Sequence, residues 1–433
     1  IPVQKSQKVF SDSNLPCIGK AGIREINKLA RDLEAASGVK FIHMEMGNPG
    51  LPAVQAGVEA QIKALQDGVA ATYPPIDGVP AVKKEASRFI KNFLDLDVDA
   101  ANCIPTVGSM QGAFASFMIC GHTNKEKDTV LFIDPGFPVH KFQTKILGLK
   151  MESFDIYEYR GEKLREKLES IFSTGRIHSV LYSNPNNPTW VCLTDEELKI
   201  IGELANKYDV IILEDLAYFG MDFRKDYSHP GVAPFQPTVG KYTDNYILML
   251  STSKAFSYAG ERCAVLGISN KLAERRYPDL KEFCGQDIFA RGIIFGALHP
   301  LSSGTSHSAQ YAVAGVMKAV NDGTYNYRDD VLEYGKKAKM MKDAFTSNGF
   351  KLTYDEDLGE PIADGFYFTY YYPGFTGAEL LEKMLYYGIS AISLDTCGST
   401  RQGIRACTSL IQRDEIPVLA ERLKRFAEDH PIK

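Results

Sequence analysis

The sequence predicts an α/β protein. A large domain with a mainly parallel central sheet covered by helices is joined to a smaller α+β domain. Three observations lead there. Short apolar runs alternate with amphipathic stretches through the middle of the chain, as in strands buried on both faces. Thr194 and Glu197 make a capping box ahead of a helix at 198–208, so 179–213 reads strand, helix, strand, a unit whose crossover should be right-handed. From about Val320 the pattern changes to a long lysine-rich helix and an aromatic strand.

In chain order, a helix at 23–36 is expected to pack on the small domain, because the chain joins the large sheet only later. The loop Met46-Gly47-Asn48-Pro49-Gly50 then lies between the domains, where ligand crevices commonly form. Strands are expected at 129–133, 179–182, 210–213, 246–250 and 264–268. The C-terminal part should hold a helix at 326–348, a strand at 365–372, a capped helix at 376–387 closed by Gly388, and a last amphipathic helix at 415–428. The expected division is 1–47 as an N-terminal arm and helix, 48–319 as the large domain and 320–433 as the small one.

At 433 residues, 44% hydrophobic and 24% charged, the chain has ample material for a core. A net charge of −5 argues against non-specific nucleic-acid binding. No run of eighteen apolar residues occurs, so no membrane span is expected. The first ten residues carry two lysines and no apolar core, and no signal peptide is visible. Eight cysteines without a C-x-x-C pair read as reduced thiols of a cytoplasmic protein. The eight histidines lack metal-ligand spacing, so no metal site is expected.

The most telling stretch follows the strand at 246–250: Ser251-Thr252-Ser253-Lys254, with Arg262 eight residues on. A lysine just beyond a buried strand is costly without a partner. A Schiff base with an aldehyde cofactor relieves that cost, and Ser251, Ser253 and Arg262 can hold a phosphate. The other strand ends are polar too: Asp134 to His140, Ser183 to Thr189, and Glu214-Asp215-Leu216-Ala217-Tyr218. Singly, each reads as a turn, a cap or core; together they suit one aromatic phosphate. Asp215 can hold a protonated ring nitrogen, with His140 behind it. Asn187 and Tyr218 can reach a phenolic oxygen, and Phe137 can stack on the ring. Gly108, Ser109 and Met110 open an apolar helix whose amides suit the phosphate.

These motifs resemble the aminotransferase class I/II family, the aspartate-aminotransferase-like members of the pyridoxal-phosphate-dependent fold type I. The resemblance runs from about Gly47 to Arg405 and rests on Asn186-Asn187-Pro188-Thr189, Asp215-x-x-Tyr218, Ser251-x-Ser253-Lys254 and Arg262 occurring in order. It implies pyridoxal 5'-phosphate as cofactor, with Lys254 bonded to it. It also implies Arg405 on the substrate α-carboxylate, the Gly47 backbone facing the substrate, and Tyr73 reaching the phosphate of the neighbouring subunit in a homodimer. Trp190 stands where the family usually has glycine, and is expected at the pocket mouth. Phe137 replaces a tyrosine or tryptophan, and Met110 a polar residue. No arginine clearly matches the second carboxylate clamp of the dicarboxylate-specific members.

The implied reaction moves an amino group from an amino acid to a 2-oxo acid by a ping-pong route, with Lys254, Asp215 and Tyr218 closest to the chemistry. Two rivals use the same fold: a lyase such as one for C–S β-elimination, and a non-catalytic effector-binding module. The full set of lysine, aspartate and two arginines weighs against the second. Neither nucleic acid nor membrane is an expected partner.

Overall fold

The computed structural model describes residue 1 and residues 3–432. Seven strands form the large sheet: β1 (Cys103–Val107), β2 (Thr129–Asp134), β3 (Lys150–Asp155), β4 (Ile177–Ser183), β5 (Ile211–Asp215), β6 (Tyr246–Ser251) and β7 (Cys263–Ile268). Their order across the sheet is β1-β7-β6-β5-β4-β2-β3. Every neighbouring pair from β3 to β6 is parallel. β7 runs antiparallel to both β6 and β1. The sheet is therefore mainly parallel, as expected, and all five predicted strands are present.

The sequence reading lacks β1 and β3, the two edge strands. An edge strand pairs on one side only and tolerates polar residues and proline. β1 carries Pro105, and β3 reads Lys-Met-Glu-Ser-Phe-Asp with its first four residues not fully buried.

Helices cover both faces. In β6, Tyr246, Leu248 and Leu250 join a core with Phe89, Leu198 and Val313, while Ile247 and Met249 join another with Phe117 and Leu280. Successive side chains point to opposite faces, so a strand apolar at every position must be sandwiched. Each such fully buried large side chain contributes ~1.5–3 kcal/mol. The helix Asp195–Tyr208 begins at the predicted capping box: the Glu197 amide donates to Thr194 Oγ1 at 3.2 Å, and the Thr194 amide to Glu197 Oε2 at 3.0 Å.

A second sheet has β8 (Lys351–Leu352), β9 (Tyr367–Tyr371), β10 (Ile392–Ser393) and β11 (Ile404–Cys407), antiparallel in the order β10-β11-β9-β8. The helices Gly377–Leu385 and Glu415–Asp429 cover it. Phe345, Phe368, Tyr370, Leu380, Leu419 and Phe426 share its core. Ile26 of the helix Ile23–Ser37 joins this core, and Leu29 and Leu33 pack with Leu385. The helix Tyr327–Thr346 spans both units, with Tyr327 and Tyr334 in the large core and Met341 and Phe345 in the small one. Among the described residues, no helix is long and apolar enough to cross a membrane.

Candidate active site

The topology gathers the polar strand ends at one edge. β2, β4, β5 and β6 are parallel, so Asp134, Ser183, Asp215 and Ser251 end together. Because β7 is reversed, it starts at that same edge, directly after Arg262. β1 is reversed again and ends there at Val107. The Gly108 amide donates to the Arg262 carbonyl at 2.8 Å. Arg262 follows Lys254 by eight residues because the chain must turn from the end of β6 into the start of β7.

Gly108 opens the helix Gly108–Cys120 at φ +65°, and a Cβ there would meet Arg262 Nη2 at 2.6 Å. The positive φ favours glycine, and any larger residue would push the Arg262 guanidinium aside. Ser109 Oγ is buried and, among the described residues, has no hydrogen-bond partner. Next to it, the Met110 carbonyl accepts from Gln143 Nε2 at 2.8 Å. Ser251 Oγ accepts from the Ser253 amide at 3.2 Å. A helix start, a buried hydroxyl and a guanidinium thus lie at one edge of the sheet, an arrangement that could hold an anion.

Lys254 donates from Nζ to the Gly47 carbonyl, and its amine lies 5.5 Å from the Phe366 ring centre. Burial pulls its pKa down to about 8, and the charges of Arg405 and Arg262 push the same way. Asp215 is buried and caps its own turn, accepting from the Ala217 amide at 3.0 Å. His140 Nε2 stands 3.7 Å from Asp215 Oδ2, and its Nδ1 lies 3.2 Å from Gln143 Oε1. Phe137 is half-buried and sits edge-on to His140, with ring centres 5.5 Å apart.

Arg405, on β11, is 1% exposed. Its Nη1 donates to Asn187 Oδ1 at 3.1 Å and its Nη2 to the Glu45 carbonyl at 2.5 Å, while Nε has no partner among the described residues. Among the described residues it pairs with no carboxylate. A buried cation left in that state costs several kcal/mol, so the position suits an incoming anion. Lys254 and Arg405 thus grip the same short loop, at Gly47 and Glu45.

Two residues of this crevice escape sequence reasoning. Glu45 is fully buried and accepts from Asn27 Nδ2 at 2.7 Å and Ser390 Oγ at 2.6 Å, with His43 Nδ1 at 3.0 Å. It braces the loop from behind. Tyr367 lies under Arg405, whose guanidinium carbon is 4.4 Å from its ring centre, and its hydroxyl meets that of Tyr218 at 2.8 Å. The alternating aromatics of β9 read as a packed face. They are one for Phe368 and Tyr370, but the opposite face, which bears Tyr367, looks onto the crevice.

Trp190 is not at the pocket mouth. It is fully buried at φ +65°, seated on Gly365, with its ring 5.4 Å from Tyr218 and 6.3 Å from Tyr367. The Asn-Pro turn drives it inward: the Trp190 amide donates to the Asn186 carbonyl at 2.9 Å. Tyr73 is 94% exposed. Arg291 is exposed and donates to Gln286 Oε1 at 3.0 Å.

The family described as aminotransferase class I and II matches residues 39–423 of this sequence, and the chain belongs to it. A probable aspartate aminotransferase of Methanocaldococcus jannaschii is 28% identical over 255 residues, covering 59% of this chain and 62% of that protein. The glutamate-pyruvate aminotransferase AlaC of Escherichia coli is 27% identical over 304 residues, 69% of this chain and 68% of that one. The match spans 62% of the length of the relatives from Methanocaldococcus jannaschii and Pyrococcus horikoshii. Among solved structures, the aspartate aminotransferase of Thermus thermophilus with maleate has a TM-score of 0.74 at 16% identity, over 98% of both chains. An aminotransferase from Mycobacterium tuberculosis has a TM-score of 0.76 at 16% identity, over 96% of this chain and 98% of that one. At these identities the likeness is one of fold, fold type I.

Proposed function

We propose that the chain is a pyridoxal-phosphate-dependent aminotransferase acting on an amino acid and a 2-oxo acid. The carrying observation is Arg405, a buried guanidinium without a carboxylate partner among the described residues, held to the same loop as an amine whose pKa is pulled to about 8. The cofactor fits what surrounds them. Gly108, Ser109, Met110, Ser251, Ser253 and Arg262 would hold the phosphate, and the unpaired buried Ser109 hydroxyl is the group most in need of it. Asp215, braced by His140, would meet the ring nitrogen, with Asn187 and Tyr218 at the phenolic oxygen and Phe137 against the ring face.

When bound, pyridoxal phosphate supplies an aldehyde carbon for the amino group and a ring that takes up the electron pair of the broken bond. The rest falls to this chain's side chains. Arg405 grips the α-carboxylate with two parallel N–H groups and so fixes which bond at the α-carbon faces the ring. The Gly47 carbonyl holds the Lys254 amine in reach of that carbon. Lys254 takes the α-proton; near neutral pH a depressed pKa leaves a useful share of its amine free for this work. Asp215 would offer its carboxylate to the ring nitrogen. We read 48–319 as the cofactor-binding unit, 320–433 as the unit delivering Arg405, and 1–47 as an arm against the latter. Tyr73, exposed in one chain, suits a phosphate of the partner in a homodimer.

Single amino acids added to the cofactor-loaded protein test this. Loss of the visible cofactor absorbance with release of one 2-oxo acid per site is the expected result. Release of ammonia or a thiol instead would favour a lyase. Borohydride reduction and peptide mapping should find the cofactor on Lys254, and label elsewhere would overturn that role.

A further inference from the structure

Tyr367 is fixed from several sides. Phe366 packs 5.0 Å from its ring and 5.4 Å from that of Tyr218. Trp190 lies edge-on to both rings. Any side chain at residue 47 would strike the Tyr367 hydroxyl, so Gly47 is what admits it. Register explains the rest. β9 and β11 pair Thr369 with Arg405 and Tyr367 with Cys407, so these four share one face and Tyr367 is the diagonal neighbour of Arg405. Diagonal pairs are within reach of long and aromatic side chains.

We infer that Tyr367 is a positioning residue serving both ends of the reacting group: its ring carries Arg405 and its hydroxyl orients that of Tyr218. The inference rests on the aminotransferase reading. A guanidinium on an aromatic face is attracted by the ring quadrupole, more strongly when desolvated, and Arg405 is desolvated here. The ring therefore sets the plane in which Arg405 meets a carboxylate. The two hydroxyls are at 2.8 Å, with burial holding the pKa of both far above the ordinary tyrosine value, so both stay protonated and one must donate to the other. When Tyr218 turns its proton to the cofactor's phenolic oxygen, Tyr367 becomes the donor to Tyr218. Hydrogen bonds in such a chain strengthen one another. Tyr218 is then a better donor than it would be alone.

Tyr367→Phe keeps the ring and removes the hydroxyl; Tyr367→Leu removes both. The readouts are the pH titration of the bound cofactor's visible absorbance and the separate KM and kcat for the amino acid found in the half-reaction screen. In Tyr367→Phe the spectral midpoint should move up by roughly 0.3–1 pH unit, because the phenolic oxygen is less well stabilised as an anion, with KM within about twofold of wild type. Tyr367→Leu should show the same shift and a KM raised roughly 5–30-fold. A wild-type protein that takes up no pyridoxal phosphate overturns the aminotransferase reading, and this inference with it. If the wild type binds and reacts but Tyr367→Phe titrates unshifted, the inference alone falls. If Tyr367→Leu does not fold, the Tyr367→Phe titration still decides.

Discussion

Arg405 Nη1 donates to Asn187 Oδ1 at 3.1 Å, and this hydrogen bond ties β11 of the small sheet to the loop after β4 of the large one. The same guanidinium reaches the Glu45 carbonyl at 2.5 Å. Three separate stretches of chain thus meet at one buried cation, so the proposed grip on a substrate carboxylate and the assembly of the crevice would fall on the same atoms.

Arg405→Lys should therefore raise KM and lower kcat/KM by roughly 10–100-fold for every amino acid tested, since a single ammonium cannot replace two parallel charge-assisted hydrogen bonds. The spectrum of the resting cofactor should change little. Steady-state kinetics across a panel of amino acids checks this. A loss confined to one side-chain class would make Arg405 a selector and put the carboxylate grip elsewhere.

Asp215→Ala should lower kcat by about three orders of magnitude, removing a preorganised charge from a water-poor site, while the phosphate cradle still retains cofactor. Equilibrium dialysis and turnover, measured on the same preparation, separate the two effects. Near-normal turnover would remove Asp215 from the ring nitrogen.

The strand ends were readable from sequence because buried parallel strands are apolar at every position, which makes Asp134, Asp215 and Lys254 stand out against them. What stayed hidden depends on packing between units distant in sequence. Tyr367 looks like its neighbours Phe368 and Tyr370, and only the register with β11 turns it toward Arg405. Glu45 owes its role to Asn27 and Ser390, which join it from opposite ends of the chain. Trp190 occupies a position read as a pocket rim, yet the space above Gly365 draws it fully inside.

That packing is itself testable. A Cβ on Gly365 would sit on the Trp190 indole, so Gly365→Ala should destabilise the protein by about 1–3 kcal/mol through overpacking. Trp190→Gly should cost ~3–5 kcal/mol for the lost side chain, lessened by relief of the positive φ. In the double variant the cost of Gly365→Ala should nearly vanish. Urea denaturation of the four proteins closes the cycle, and additive effects would contradict the contact.

Glu214 neighbours Asp215 on β5 but turns to the opposite face, fully buried, accepting from Tyr182 Oη at 3.0 Å, Thr238 Oγ1 at 2.5 Å and the Val239 amide at 3.1 Å. Burial raises its pKa from 4.5 to about 7, outweighing those three donors. Between these values the folded chain keeps a proton that the unfolded chain has lost. This group's contribution to stability is therefore full below 4.5 and declines as pH rises toward 7, by on the order of 3 kcal/mol. Glu214→Gln cannot ionise, so its stability relative to wild type should increase over that window. Denaturation midpoints at pH 5 and pH 8 measure the difference; a constant offset would mean Glu214 does not titrate there.

Tyr73 is 94% exposed in one chain, which suits a side chain that works in a partner. If it reaches the partner's phosphate, each active site takes Lys254 from one subunit and Tyr73 from the other. Tyr73→Ala alone should then hold the cofactor poorly, and Lys254→Ala alone should be inactive. A hybrid dimer with one subunit of each kind has one site in which both defects coincide and one in which neither is present. Purified through two different tags, and assayed at limiting cofactor, the hybrid should recover about half of the wild-type activity, as expected for a symmetric dimer with shared sites. If Tyr73 serves only its own subunit, the sole lysine-bearing site of the hybrid still lacks the tyrosine. The hybrid would then be no better than the Tyr73→Ala protein. Sedimentation at the assay concentration must show a dimer for both parents, and a monomer active at full rate would exclude shared sites outright.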